Sequence, residues 1–152
     1  MALAVAEARR VLKPGGLLLD IHPTDEPTHL EVWHARYRGG DVIQSAENLQ
    51  AVQRLPVGFL DHDETLRDFT ATSDALAEAL ENGFTLQRST AFDYRYFFDS
   101  LDELTDYLEE NWEHATASEA VLERALLAMR QAATPPKLVI VQRTVVTALR
   151  KA

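Results

Sequence analysis

A chain of 152 residues with 46% hydrophobic composition is long enough to bury a core without cross-links, and a single domain over residues 1–152 is expected. The formal net charge is −9 and the basic residues are scattered, so there is no electrostatic footprint for holding a nucleic-acid backbone. Cysteine is absent, which excludes disulfides, thiolate metal sites and cysteine nucleophiles; with no apolar run near the roughly 20 residues of a membrane helix and no leader-like N-terminus, a soluble, cytoplasmic protein is expected.

Residues 2–12 set Ala4, Val5, Ala8, Val11 and Leu12 at helical spacing, and Pro14, Gly15 and Gly16 end that helix. "LLLDIH", residues 17–22, is a nearly continuous apolar run stopped by Pro23, the pattern of a central parallel strand covered on both faces. Between residues 30 and 49, two extended runs flank Gly39 and Gly40, which suits a β-hairpin with a two-residue turn. Residues 55–69 mix proline, glycine and acids and read as a surface connection with at most a short element inside. A helix capped by Ser73 follows, with Ala75, Leu76, Ala79 and Leu80 as its apolar stripe and Asn82-Gly83 as its stop.

The aromatic, partly alternating segment 84–98 predicts a long strand. Two capping boxes, Ser100 with Glu103 and Thr116 with Glu119, predict helices presenting Leu101, Leu104, Leu108 and Trp112, then Val121, Leu122, Ala125, Leu126 and Met129. Pro135 and Pro136 lead into a last β-branched strand beginning at Lys137. Helices alternating with strands in this order argue an α/β sheet of mixed direction.

The segment "AEARRVLKPGGLLLDIHP" resembles the part of class I S-adenosylmethionine-dependent methyltransferases that holds the helix before the fifth strand, the L-x-P-G-G turn and that strand. The match is carried by Ala8, Arg10, Val11, Leu12, Lys13, Pro14, Gly15, Gly16 and Leu18. The resemblance implies a partial Rossmann-like methyltransferase fold, in which the final two strands form an antiparallel pair, with the hairpin as an insertion and helices flanking the sheet. It covers most of the chain in layout and about twenty residues in motif.

The family's cofactor loop is a Gly-rich turn after its first strand. Here the glycines are Gly15, Gly16, Gly39, Gly40, Gly58 and Gly83, and no pair has the G-x-G spacing. The resemblance therefore implies a chain corresponding to the fifth strand onward, without a cofactor in the chain alone and with S-adenosylmethionine only if the other half is supplied. Such a half-domain exposes a strand edge, so self-association as a dimer, a partner chain, or shielding by the hairpin is expected.

Asp20 and His22 lie near the C-terminal end of the aliphatic strand, where ligands bind in open α/β sheets, and alternation puts both on one face. They are the candidate catalytic pair; the competing explanation is hydrogen bonding within the sheet rim. His22, His29 and His34, with Asp25 and Glu31, have ligand chemistry but no metal-site spacing, and "DHDE" at 61–64 lacks the oxygen pattern of a calcium loop, so no metal is expected. Trp33, Tyr37, Tyr94 and Tyr96 could line an apolar ligand pocket; alternation in 92–98, with Phe92, Tyr94, Tyr96 and Phe98 on one face, fits core packing under the terminal helices better.

Three functional readings follow. The first is a methyltransferase-related partner, regulatory or relict module. The second is a methyltransferase completed by a partner chain, a dimer mate or a segment upstream of Met1. The third is a small-ligand-binding domain.

Overall fold

The computed structural model describes residues 2–35, 52–62, 70–112 and 115–152. These residues form two compact units, each assembled from separate stretches of sequence. The first comprises residues 1–26, 67–93 and 143–152, and the second comprises residues 27–66 and 94–142. Two long strands, β5 (Phe84–Phe98) and β7 (Lys137–Lys151), contribute to both.

In the first unit, α1 (Ala2–Val11) leads through the Pro-Gly-Gly turn into β1 (Leu17–Pro23). Gly15 takes φ +77°, the left-handed geometry that stops a helix, and its amide donates to Lys151 O at 2.9 Å. β1 runs antiparallel to the C-terminal half of β7, with Leu18 opposite Leu149, Asp20 opposite Thr147 and His22 opposite Val145.

The other side of the same half of β7 is taken by β5. Thr85 reaches the Arg150 carbonyl, Ser89 pairs with Thr147, and Asp93 meets Arg143, so β5 too is antiparallel to β7. β1 and β5 consequently run in the same direction on either side of it. α2 (Thr70–Glu81) ends at Gly83, with φ +87°. Val5 and Leu12, Leu76 and Ala79, and Phe84 pack with Leu18 and Leu149 on one face of these strands.

Two expectations are corrected here. β1 is not a central parallel strand covered on both faces: its pairing with β7 is antiparallel, and Leu17, Leu19 and Ile21 are 50%, 59% and 64% exposed. A run of aliphatic residues satisfies burial on one face as well as on two, so the run alone could not distinguish them. Ser73 lies inside α2 rather than capping it, because the helix begins at Thr70.

In the second unit, β2 (His29–Ala35) lies between the N-terminal half of β7 and β3 (Val52–Phe59), antiparallel to both. Of the hairpin expected over residues 30–49, only the first arm, β2, is described; Gly39, Gly40 and the run that follows them lie outside the described residues, and the strand paired with β2 is β3, which begins at Val52. β3 also corrects the expectation of a surface connection over 55–69. The register slips between Leu30 and Glu31, which face Gly58 and Pro56, so Val57 is a bulge residue. A bulge accommodates Pro56 within a paired strand, where turn-like composition conceals the strand.

The core of this unit lies on the face of Leu30, Val32, Leu138 and Ile140. It is covered by Leu104 and Leu108 of α3 (Leu101–Asn111) and by Val121 and Ala125 of α4 (Glu119–Gln131). Ser100 caps α3 as expected, accepting from Glu103 N at 3.1 Å, while the Glu103 carboxylate accepts from Asp99 N at 2.6 Å. The second capping box does not form. Thr116 belongs to the two-residue strand β6 (Ala115–Thr116), paired with β4 (Asp61–His62), and Ser118 occupies the N-cap of α4 without a side-chain hydrogen bond.

The chain is thus α/β, with four helices and antiparallel strand pairs among the described residues. The order of long strand, two helices and last strand stands where the sequence reading puts it.

Candidate functional site

Side-chain alternation along β1 sends Leu18, Asp20 and His22 to the face that also holds Leu149, and sends Leu17, Leu19 and Ile21 to the other. On the first face, His22 Nδ1 lies 2.5 Å from Asp20 Oδ2, and each side chain is 19% exposed. With the ring hydrogen on Nδ1, His22 donates to the carboxylate and leaves Nε2 as the acceptor. Asp20 stands opposite Thr147, a buried residue whose hydroxyl is 3.2 Å from that of Ser89. Asp20 on β1, Thr147 on β7 and Ser89 on β5 therefore form a polar row across three strands.

Chemically, this arrangement can orient an imidazole and present one basic nitrogen near the end of a strand. A carboxylate behind an imidazole is the arrangement that fixes a tautomer for proton transfer. The same two residues are also an i, i+2 pair on one strand face, so local geometry alone brings them together.

The pocket residues expected from sequence are not brought together as one lining. The Tyr94 and Tyr96 rings meet at 4.9 Å, inclined by 57°, and Tyr96 continues to Tyr107 and Trp112 at 5.6 and 5.3 Å, on the side of α3. Trp33 instead meets Phe97 edge-on at 5.5 Å and lies beneath the Arg95 guanidinium. Since residues 94 and 96 alternate with 95 and 97, Trp33 and the two tyrosines are served by opposite faces of β5. Tyr37 lies outside the described residues. Burial, followed by the neighbouring Tyr107 and Tyr94 hydroxyls, raises the Tyr96 phenol above its ordinary ionisation range.

A second polar constellation joins His29 and Glu31, which the sequence offers only as metal-ligand types, to Trp33. Glu31 accepts from the Trp33 indole N–H and lies 3.2 Å from His29 Nε2, while Arg54 sits 4.3 Å above the Trp33 ring. His29, Glu31 and Trp33 alternate along β2, and that spacing is the signal that could have grouped them. Its members satisfy one another, and Trp33 packs with Val139 and Val141, which gives the group a structural role on this face. Of the other histidines, His34 contacts the Ala35 carbonyl at 3.3 Å, and His62 packs near Trp112. Among the described residues no three His, Asp or Glu side chains converge as a metal-binding group. No described helix is long and apolar enough to cross a membrane.

Neither a protein-family model nor a curated protein sequence matches the chain.

Proposed function

We propose that the chain is a methyltransferase-related module without the usual S-adenosylmethionine-binding half, acting as a partner, regulatory or relict domain of partial Rossmann-like fold. The observation that carries the reading is the pairing around β7. The helix, Pro-Gly-Gly turn and aliphatic strand that carry the resemblance are followed by two long strands, and those two, β5 and β7, pair antiparallel as the family's last two do. The absence of any G-x-G spacing removes the backbone approach that the cofactor's methionine end requires.

A second reading, an enzyme completed by another polypeptide, a dimer mate or an upstream segment, is favoured by one observation. β1 has Leu17, Leu19 and Ile21 open to solvent, and among the described residues it pairs only with β7. An apolar strand with a free edge is a place where a further strand joins. Asp20 and His22 are the residues that would then face the completed crevice. The partner is a protein, a second copy of this chain or another, rather than nucleic acid, given the net charge of −9. The lack of cysteine suits a reducing cytoplasm.

Calorimetric titration with S-adenosylmethionine and S-adenosylhomocysteine, at protein concentrations that register dissociation constants up to about a millimolar, tests the module reading, and repeating it with a polypeptide that carries a glycine-rich cofactor half tests the second. The module reading expects no saturable heat from the folded chain. Saturable one-to-one binding would overturn it and bring the enzyme reading forward.

A further inference from the structure

A cleft in the second unit is independent of the β1 site and of the methyltransferase reading. It lies between the C-terminal half of α3, the β6 segment and α4, has a volume of about 520 Å³, and falls in the range of small-molecule sites. Leu108 and Trp112 of α3, Ala115 and Ala117, and Leu122 of α4 make its walls apolar. Thr105 also lines it, but its hydroxyl is committed to the Leu101 and Asp102 carbonyls, 3.0 Å each.

Glu109 is the one charged side chain among the described lining residues. It lies beside the i, i+4 row of Leu108 and Trp112, and it has no hydrogen bond or ion pair among the described residues. Among the described residues, two further features leave the charge at this place unbalanced. Glu109 and Glu110 sit in the last turn of α3, where the backbone carbonyls already carry partial negative charge, and no basic residue stands in that turn. The helix as a whole contains Asp102, Glu103, Asp106, Glu109 and Glu110 without a single lysine or arginine. An anion in the cleft would meet repulsion, whereas a cation would be attracted by Glu109, by the helix end and by the electron-rich Trp112 ring.

We propose that this cleft binds an organic ammonium ion with an apolar body. The hydrocarbon part displaces water from Leu108, Ala115, Ala117 and Leu122, and the ammonium group pairs with Glu109 beside the Trp112 indole. Trp112 is held for this contact by Tyr96, whose ring meets it edge-on at 5.3 Å and 86°.

The chain contains two tryptophans, so two indole N–H signals suffice to follow the site by NMR. The full chain is titrated with three probes of one shape: phenethylammonium, 2-phenylethanol and phenylacetate, each to about 10 mM, which registers millimolar dissociation constants. The Trp112 signal should shift saturably with phenethylammonium, at least about fivefold more weakly with the alcohol, and not with the carboxylate, as expected of one ion pair with a cation–π contribution. Glu109→Gln should erase the preference for the ammonium while leaving the affinity for the alcohol unchanged. Equal affinity for all three probes, a preference that survives Glu109→Gln, or no shift of Trp112 with any probe would each overturn the proposal.

Discussion

Lys151 Nζ and the Leu12 carbonyl oxygen, 139 positions apart in sequence, lie 2.6 Å from one another, and the same ammonium group reaches the Arg9 carbonyl at 2.6 Å. The last carbonyls of α1 have no amide partners within the helix, and a cation there satisfies them while opposing the negative helix end. Lys151→Met keeps the aliphatic stem and removes the donor. It should lower stability by about 1 kcal/mol, read as a lower denaturant midpoint at unchanged slope. An unaltered midpoint would show that water replaces the lysine at no cost.

Gly58 is required by proximity. It stands opposite Leu30 on the core face of β2 and β3, and a Cβ placed on it would fall 2.6 Å from Val121 Cγ2 of α4. Gly58→Ala should cost about 1–3 kcal/mol by forcing α4 away, and it should also strain the Arg124 hydrogen bond to Val57 O, 2.6 Å in the native chain. If the clash is the cause, Gly58→Ala combined with Val121→Ala should cost less than the sum of the two single changes. Additive losses in the double-mutant cycle would point to another origin.

The Tyr96 phenol supplies a pH dependence. Its folded-state pKa is raised, so the folded chain holds this proton at pH values where the unfolded chain releases it. The associated stability is fully present below the unfolded pKa, about 10, and is lost as pH rises through the higher folded one. Tyr96→Phe should therefore show a shallower alkaline loss of stability than the native chain, and should lack the latest component of the tyrosinate absorbance titration. Identical alkaline profiles would remove burial of this hydroxyl as the cause.

If a second copy covers β1, the pairing must tolerate twofold symmetry. An antiparallel pairing centred on Leu19 sets Leu17 of one copy opposite Ile21 of the other, apolar against apolar, with no like charges facing each other on that side. Leu19→Lys should then shift a concentration-dependent dimer toward monomer in sedimentation equilibrium while leaving the α1, α2 core intact, because Leu19 faces away from it. A native chain that sediments as a monomer at every concentration would eliminate this arrangement.

The elements with strong punctuation are legible in the sequence. Ser100 with Glu103, Gly83 after α2 and Pro135-Pro136 before β7 mark boundaries through backbone chemistry that acts within a few residues. β3 was not legible because its identity depends on a partner, β2, and on a bulge that absorbs Pro56; neither is a local property. The Thr116 box failed for a related reason: pairing with Asp61 holds Thr116 extended, so the helix starts after Ser118. At the candidate site, alternation correctly joined Asp20 to His22. It could not reveal Thr147 and Ser89, which are supplied by strands more than sixty residues away. Trp33 and Tyr96 were grouped by type, while the pleat of β5 assigns their neighbours to opposite sides.

β7 has one more consequence, in the order of synthesis. Its N-terminal half brings Leu138 and Ile140 to one core and its C-terminal half brings Leu149 to the other. A chain growing from the ribosome can form α1, α2, α3 and α4 early, but one hydrophobic cluster is incomplete until residue 140 has emerged and the other until residue 149 has. Both cores wait on the same late strand, so any pause before it leaves two incomplete apolar surfaces for chaperones to guard.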